Sequence, residues 1–144
     1  MNEEAPRLKN QLYFPLYACA KEVARKYQPM LKAIGLTYTQ YIVMMVLWER
    51  RKVSVRELGE QLYLDSGTLT PLLKRLEAQG LVTRERSIRD ERSVIVSLTG
   101  RGDMLREKAG DISDRMGRCL SLDQEESKTL YTLLYRVLGA VSGS

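Results

Sequence analysis

The feature that most restricts the fold lies between residues 54 and 98, where the hydrophobic period changes from that of a helix to that of a strand. Up to Gly80 the apolar residues recur at steps of three and four; beyond it "LVTRER" and "RSVIVSL" alternate or run β-branched. The helical part is itself double. "SVRELGEQLYL" opens with Ser54 and Glu57 in the S-x-x-E spacing of a capping box and turns Val55, Leu58, Leu62 and Leu64 inward. "LDSGTLTPLLKRLEAQGL" begins a second helix, capped by Asp65 or Ser66, with Leu69, Leu72, Leu73 and Leu76 on one stripe and Gly80 as its stop. Thr70 and Pro71 would also make a cap and first residue, but Leu69 on the stripe favours the earlier start. "SIRDE" separates the two strands and predicts a β-hairpin with a charged tip.

The flanking segments are helical. Leu8, Leu12, Leu16, Cys19, Val23, Tyr27, Met30, Leu31 and Ile34 keep helical spacing before Gly35, which predicts a helix of about 25 residues. Pro15 predicts a kink near residues 11–15, or a start at Phe14 or Pro15. A second helix, from Thr37 or Thr39 to Arg50, carries Tyr41, Ile42, Met44, Met45, Leu47 and Trp48 on nearly every face and is therefore central. After the hairpin one helix runs from Thr99 or Arg101 to Cys119, with Met104, Leu105, Ala109, Ile112 and Met116 inward. Ser121 or Asp123 caps the last helix, with Gln124 or Glu126 three residues on; Leu130, Leu133, Leu134, Val137, Leu138 and Val141 form its apolar face.

The fold class is thus mostly α with a small β-hairpin wing. It is a winged helix-turn-helix lobe over residues 37–100 (wing 81–98), a connecting helix over 101–119, and terminal helices over 6–35 and 121–141. The terminal stripes are wider than a chain of 144 residues buries alone, which predicts dimerisation through them.

Composition narrows the chemistry. The chain has no histidine, so the commonest general base and metal ligand are missing, and its two cysteines are too few for a structural zinc site. No enzyme, metal or cofactor is expected. No apolar run approaches a membrane span and "MNEEAPRLKN" is no signal peptide, which predicts a cytoplasmic protein with no membrane partner. The net charge of +5 fits either a polyanionic partner or a mixed solvated surface. Position decides between them. Ser66, Thr68 and Thr70 place short hydroxyls at the start of the second helix of the pair, Gly67 allows close backbone approach, and Lys74 and Arg75 follow one turn later. Arg84, Arg86, Arg89 and Arg92 charge the hairpin, which suits a narrow minor groove. Singly these are ordinary caps and a solvated tip; in this order they predict binding to double-stranded DNA.

The stretch "LGEQLYLDSGTLTPLLKRLEAQGLVTRERSIRDERSVIVSLTGRG" resembles the core of the MarR family of transcriptional regulators. Asp90 to Arg92 match its D-x-R wing signature, and Ser97 to Thr99 the "SLT" that follows. "NQLYFPLYACAKE" and "LTYTQYIVMMVLWE" are similar to the organic-peroxide and thiol-stress branch, the OhrR and MgrA group. The resemblance spans residues 8 to 108, and the last helix in pattern only. It implies a homodimer whose first and last helices pack together and whose paired recognition helices and wings straddle a near-palindromic operator. It also implies that Asp90 braces Arg92 in the minor groove.

In that branch the reactive cysteine stands in a "QLCF" context, and here the residues are "QLYF", with Tyr13 in its place. Tyr17, Tyr27 and Tyr38 match the branch's tyrosines, whose hydroxyls stabilise a thiolate. A tyrosine forms no sulfenic acid, so one-cysteine sensing through position 13 is excluded. Cys19 follows Tyr13 by about 600° of helix and lies on another face. It joins the Leu12, Leu16 and Val23 stripe and reads first as packing. The alternative is a thiol-based, peroxide-responsive repressor using Cys19, Cys119 or both; the resemblance to two-cysteine members extends this to a disulfide between Cys19 and the partner subunit's Cys119. Tyr13, Phe14, Tyr17, Tyr27, Tyr38, Tyr41 and Trp48 concentrate aromatics in the first third. They either pack the first helix on the second or line a crevice for a small aromatic or phenolic ligand, such as many MarR-like dimers bind. The resulting expectation is a homodimeric repressor released by such a ligand.

Overall fold

The computed structural model describes residues 5–89 and 93–143. A 3-10 turn at Leu8–Asn10 precedes α1 (Tyr13–Lys32) and α2 (Tyr38–Arg50). Then come β1 (Lys52–Ser54), α3 (Val55–Leu62), α4 (Ser66–Ala78), β2 (Val82–Arg86) and β3 (Val94–Leu98). The chain ends in α5 (Gly100–Met104), α6 (Arg106–Cys119) and α7 (Gln124–Ser142).

Helix α1 starts at Tyr13, so Pro15 falls in the first turn, where a missing N–H removes no helical bond. Gly35 and Gly80 end their helices at φ +76° and +78°. In each case the following residue reaches back to close a Schellman motif, Leu36 N to the Leu31 carbonyl and Leu81 N to the Leu76 carbonyl, both at 3.0 Å. A capping box absent from the sequence reading starts α2. Thr37 Oγ1 accepts from Gln40 N while Gln40 Oε1 accepts from Thr37 N. At α3 only half of the expected box forms. Ser54 Oγ accepts from Glu57 N at 3.0 Å, while the Glu57 carboxylate accepts from the Ser54 hydroxyl at 3.1 Å and from Arg50 at 2.8 Å. Asp65 caps α4, accepting from Thr68 N at 2.7 Å, and the helix continues through Pro71. Asp123 and Glu126 form a complete box at α7.

The sheet is antiparallel in the order β1-β3-β2, with Val53 and Arg84 on either side of Val96. Strand β1 is an addition to the expected hairpin. The single helix expected up to Cys119 is broken at Leu105. The Gly102 carbonyl, which a continuous helix would offer to Arg106, accepts instead from the Trp48 indole at 2.9 Å and from Leu105 N at 3.3 Å.

The chain divides into two units, one up to Ile112 and one from Ser113 onward. The core of the first is built on α2, where Tyr41, Val43, Met44 and Leu47 are buried among Leu31, Leu58, Leu69, Leu73, Leu76 and Val96. In the second, α7 carries Leu130, Leu133, Leu134 and Val137 exposed along one side. Among the described residues no helix is long and apolar enough to cross a membrane.

Candidate nucleic-acid interface

The face of α4 opposite its leucines is the exposed one. Leu69, Leu72, Leu73 and Leu76 are buried, which leaves Ser66, Gly67, Thr68, Thr70, Lys74 and Arg75 at the surface. Ser66, Thr70 and Lys74 follow at four-residue steps and form one row; Gly67, Pro71 and Arg75 form the next. The row borders a cleft of about 880 Å³ between α3, α4 and the wing, lined in part by Ser66, Thr70, Arg56, Arg84 and Ser93. Thr68 lies on the other flank, and its N–H is committed to Asp65. That bond holds the Asp65 carboxyl below its ordinary range.

The wing arginines separate into different environments. Arg84 is at the base, where Glu77 of α4 accepts from its Nη2 at 3.0 Å, its Nε at 3.3 Å and its backbone N–H at 3.2 Å. Arg84 therefore clamps the wing onto α4, and its side chain is only 23% exposed. Its hydrogen bonds hold the Glu77 carboxyl below the usual range against the opposing pull of desolvation. Arg86 and Arg89 are exposed further out, and Asp90 and Arg92 lie outside the described residues. Three residues were missed in the sequence. Arg56 and Ser93 line the cleft, and Ile88 is fully exposed near the wing tip. An isolated isoleucine in a polar hairpin tip was the one available signal.

The aromatic residues fall into two groups. Tyr13 and Tyr17 pair at 6.2 Å between ring centroids on the first turns of α1, both exposed. Tyr27, Tyr38 and Tyr41 pack together between α1 and α2, at 5.1 Å for Tyr27–Tyr38, and Trp48 continues the stack at 6.4 Å from Tyr41. Burial, then the neighbouring phenols of Tyr38 and Tyr41, push the Tyr27 hydroxyl pKa up. The expected burial of Cys19 does not occur within this chain. Cys19 is exposed, and Leu12 at the N-cap of α1 and Leu16 within it are likewise left uncovered. Cys119 is exposed too. Among the described residues no cluster of three metal-ligating side chains is present.

Comparison with known proteins places this geometry. A family described as "Transcriptional regulator SarA/Rot" matches residues 25–111. The chain is 49% identical over 132 residues to the organic hydroperoxide resistance transcriptional regulator of Bacillus subtilis, covering 92% of this chain and 90% of that protein. Among solved structures it is similar to reduced AbfR of Staphylococcus epidermidis bound to DNA, with a TM-score of 0.79, 38% identity and 94% of each chain covered. It is also similar to NadR in complex with 4-hydroxyphenylacetate, with a TM-score of 0.76 and 25% identity over 95% of this chain and 97% of that one.

Proposed function

Because the chain belongs to the SarA/Rot family of MarR-like winged-helix transcriptional regulators, we propose that it is a homodimeric repressor that binds a near-palindromic operator and leaves it when a small aromatic or phenolic ligand binds. In this reading α4 enters the major groove and the wing reaches the minor groove. Residues 37–100 form the DNA-binding lobe, residues 6–35 and 121–141 hold the dimer, and residues 101–119 connect them. The observation that carries the reading is the exposed row Ser66, Thr70 and Lys74, set on a leucine-anchored helix that Arg84 ties to a basic wing. Gly67, Thr68, Arg75, Arg86 and Arg89 extend that surface, with Arg92, braced by Asp90, as the minor-groove contact. The similarity to AbfR bound to DNA supports the DNA partner, and the similarity to NadR with its phenolic acid supports a small-molecule ligand, for which Tyr13, Tyr17, Tyr27 and Tyr38 are our candidate contacts.

The test is a titration, at fixed salt, of a duplex selected by the protein from a random pool. Arg92→Ala is expected to lose most of its preference for that duplex over an unrelated one; near-wild-type affinity in the variant would sink the assignment.

One observation favours a second reading. Both cysteines are exposed, and a relative sharing 49% identity is named for organic hydroperoxide resistance. A thiol switch through Cys19 or Cys119 then replaces the ligand. It requires release of the duplex by cumene hydroperoxide, recovery on adding thiol, and loss of the response in Cys19→Ser or Cys119→Ser.

A further inference from the structure

The wing carries one side chain that neither the core nor the arginine contacts use. Ile88 is 103% exposed, more than any other large apolar residue among those described. A lone surface isoleucine needs no explanation on an ordinary loop. This one is held out by its neighbours. Arg86 is the last paired residue of β2, opposite Val94. Beyond it, Ser87 N donates to the Ser93 carbonyl at 2.8 Å and closes the neck. The Oγ of the same serine accepts from Arg89 N at 3.3 Å, so the chain is fixed before and after Ile88. The base of the hairpin is clamped to α4 through Arg84 and Glu77. Ile88 is thus an apolar point on a braced support.

Its surroundings say what kind of surface could cover it. Arg86 and Arg89 are both exposed, two positions before it and one after it. A basic setting disfavours a second copy of the same wing as the cover, because the arginines would repel one another. It fits a polyanion with an apolar recess. The minor groove of duplex DNA is such a recess, with phosphates along its edges and sugars for walls. It is only about 6 Å wide, so the tip of a hairpin enters it by single side chains.

The floor of that groove distinguishes base pairs in one respect. A·T and T·A show acceptors only, whereas G·C adds the guanine 2-amino donor. Arginine has donors and no acceptor, and isoleucine has neither. The sequence Arg86-Ser87-Ile88-Arg89 can therefore satisfy the A·T acceptors, while its one side-chain acceptor, Ser87 Oγ, is already taken by Arg89 N. A guanine amino group under Ile88 is desolvated without a partner. We infer that Ile88 is a specificity-determining residue, which seats on the minor-groove floor and selects A·T over G·C pairs by excluding the guanine 2-amino group. This rests on the regulator reading. It adds a side chain that reads base identity to a wing whose arginines read groove width and potential.

Affinity at fixed salt for the duplex that the wild type selects tests this, scanned pair by pair. Each A·T pair is exchanged for G·C and for inosine·C, which keeps guanine's major-groove edge but lacks the 2-amino group. Wild type is expected to lose about tenfold on exchange to G·C at one or two positions in each half-site, and to recover to within about twofold with inosine. Ile88→Ala removes no buried contact and keeps both arginines. At those positions its G·C penalty is expected to fall below about threefold, with the rest of the scan unchanged. Ile88→Asn supplies an acceptor and is expected to tolerate G·C there as well. Identical scans in wild type and Ile88→Ala, no position at which inosine relieves the G·C penalty, or a uniform loss across all duplexes in Ile88→Ala each overturns the inference. A lower sedimentation coefficient of free Ile88→Ala, with base preference intact, assigns Ile88 to a protein contact and overturns it too. If the wild type selects no duplex, the regulator reading falls and takes the role of Ile88 with it. If it selects one and the two scans coincide, only the role of Ile88 falls.

Discussion

At the scale of single residues, the Arg84–Glu77 clamp has a pH signature. Glu77 is held below the ordinary 4.5 of a glutamate, chiefly by its hydrogen bond to Arg84, and Glu57 is lowered in the same direction by Arg50 and Ser54. A depressed carboxylate contributes stability in full above its ordinary pKa, and that contribution is lost as the pH falls through the lower folded value. Thermal midpoints of wild type and Glu77→Gln, followed from about pH 6 to pH 3, are therefore expected to differ at the upper end and converge at the lower. A constant gap across that range would show that the carboxylate's ionisation is not what the clamp uses. Glycines give a second contrast. A Cβ on Gly102 would be driven into the Leu81 carbonyl and against Leu98, whereas one on Gly110, inside α6, meets nothing within 4 Å. Gly102→Ala is expected to destabilise by about 1–3 kcal/mol or more. Gly110→Ala is expected to stabilise by about 0.5–1 kcal/mol, because it removes only helix-interior glycine entropy. Denaturant midpoints at constant slope check both.

At the scale of elements, α4 carries the interaction prediction. Lys74 is exposed on the row with Thr70 and pairs with no carboxylate among the described residues, so it is expected to act as a phosphate contact. Lys74→Ala should weaken selected and unrelated duplexes alike and lower the slope of log affinity against log salt by about one. A loss confined to the selected duplex would make it a base contact instead. What was legible in the sequence follows from where the information lies. The leucine stripe of α4, the Asp65 cap and the Gly80 stop are local, and they were readable because period and capping act within a few residues. Strand β1 has three residues, too few for a period, and it exists because Val53 pairs with Val96 more than forty positions away. The break at Leu105 comes from the Trp48 indole taking the carbonyl of Gly102, 54 residues further on, that the helix needed. The charge of Arg84 was visible, but its partner was not, since Glu77 meets it only after the chain reverses at Gly80. Cys19 sits on the apolar stripe as read, yet a stripe shows what could be buried and not whether the same chain buries it.

At the scale of the whole molecule, the uncovered apolar residues of α7 set the assembly prediction. Leu130, Leu133, Leu134 and Val137 are between 39% and 46% exposed, a continuous side that a second copy would cover in the proposed homodimer. Leu130→Glu/Leu134→Glu is expected to sediment as a monomer with near-native helical circular dichroism and to lose affinity for the selected duplex, since two linked half-site contacts become one. A dimer persisting in this variant would place the interface elsewhere. The order of the sheet bears on how such a regulator diversifies. β3 is held on both sides, by β2 and by β1, and β1 runs directly into the Ser54 cap of α3. The frame that aims the wing is therefore fastened to the helix pair from two directions. The tip is closed at its neck by Ser87 N donating to the Ser93 carbonyl at 2.8 Å, beyond the last strand pairing. Duplicated copies of the gene could exchange the residues between those two serines like a cassette, drifting toward new promoters without renegotiating the fold that presents them.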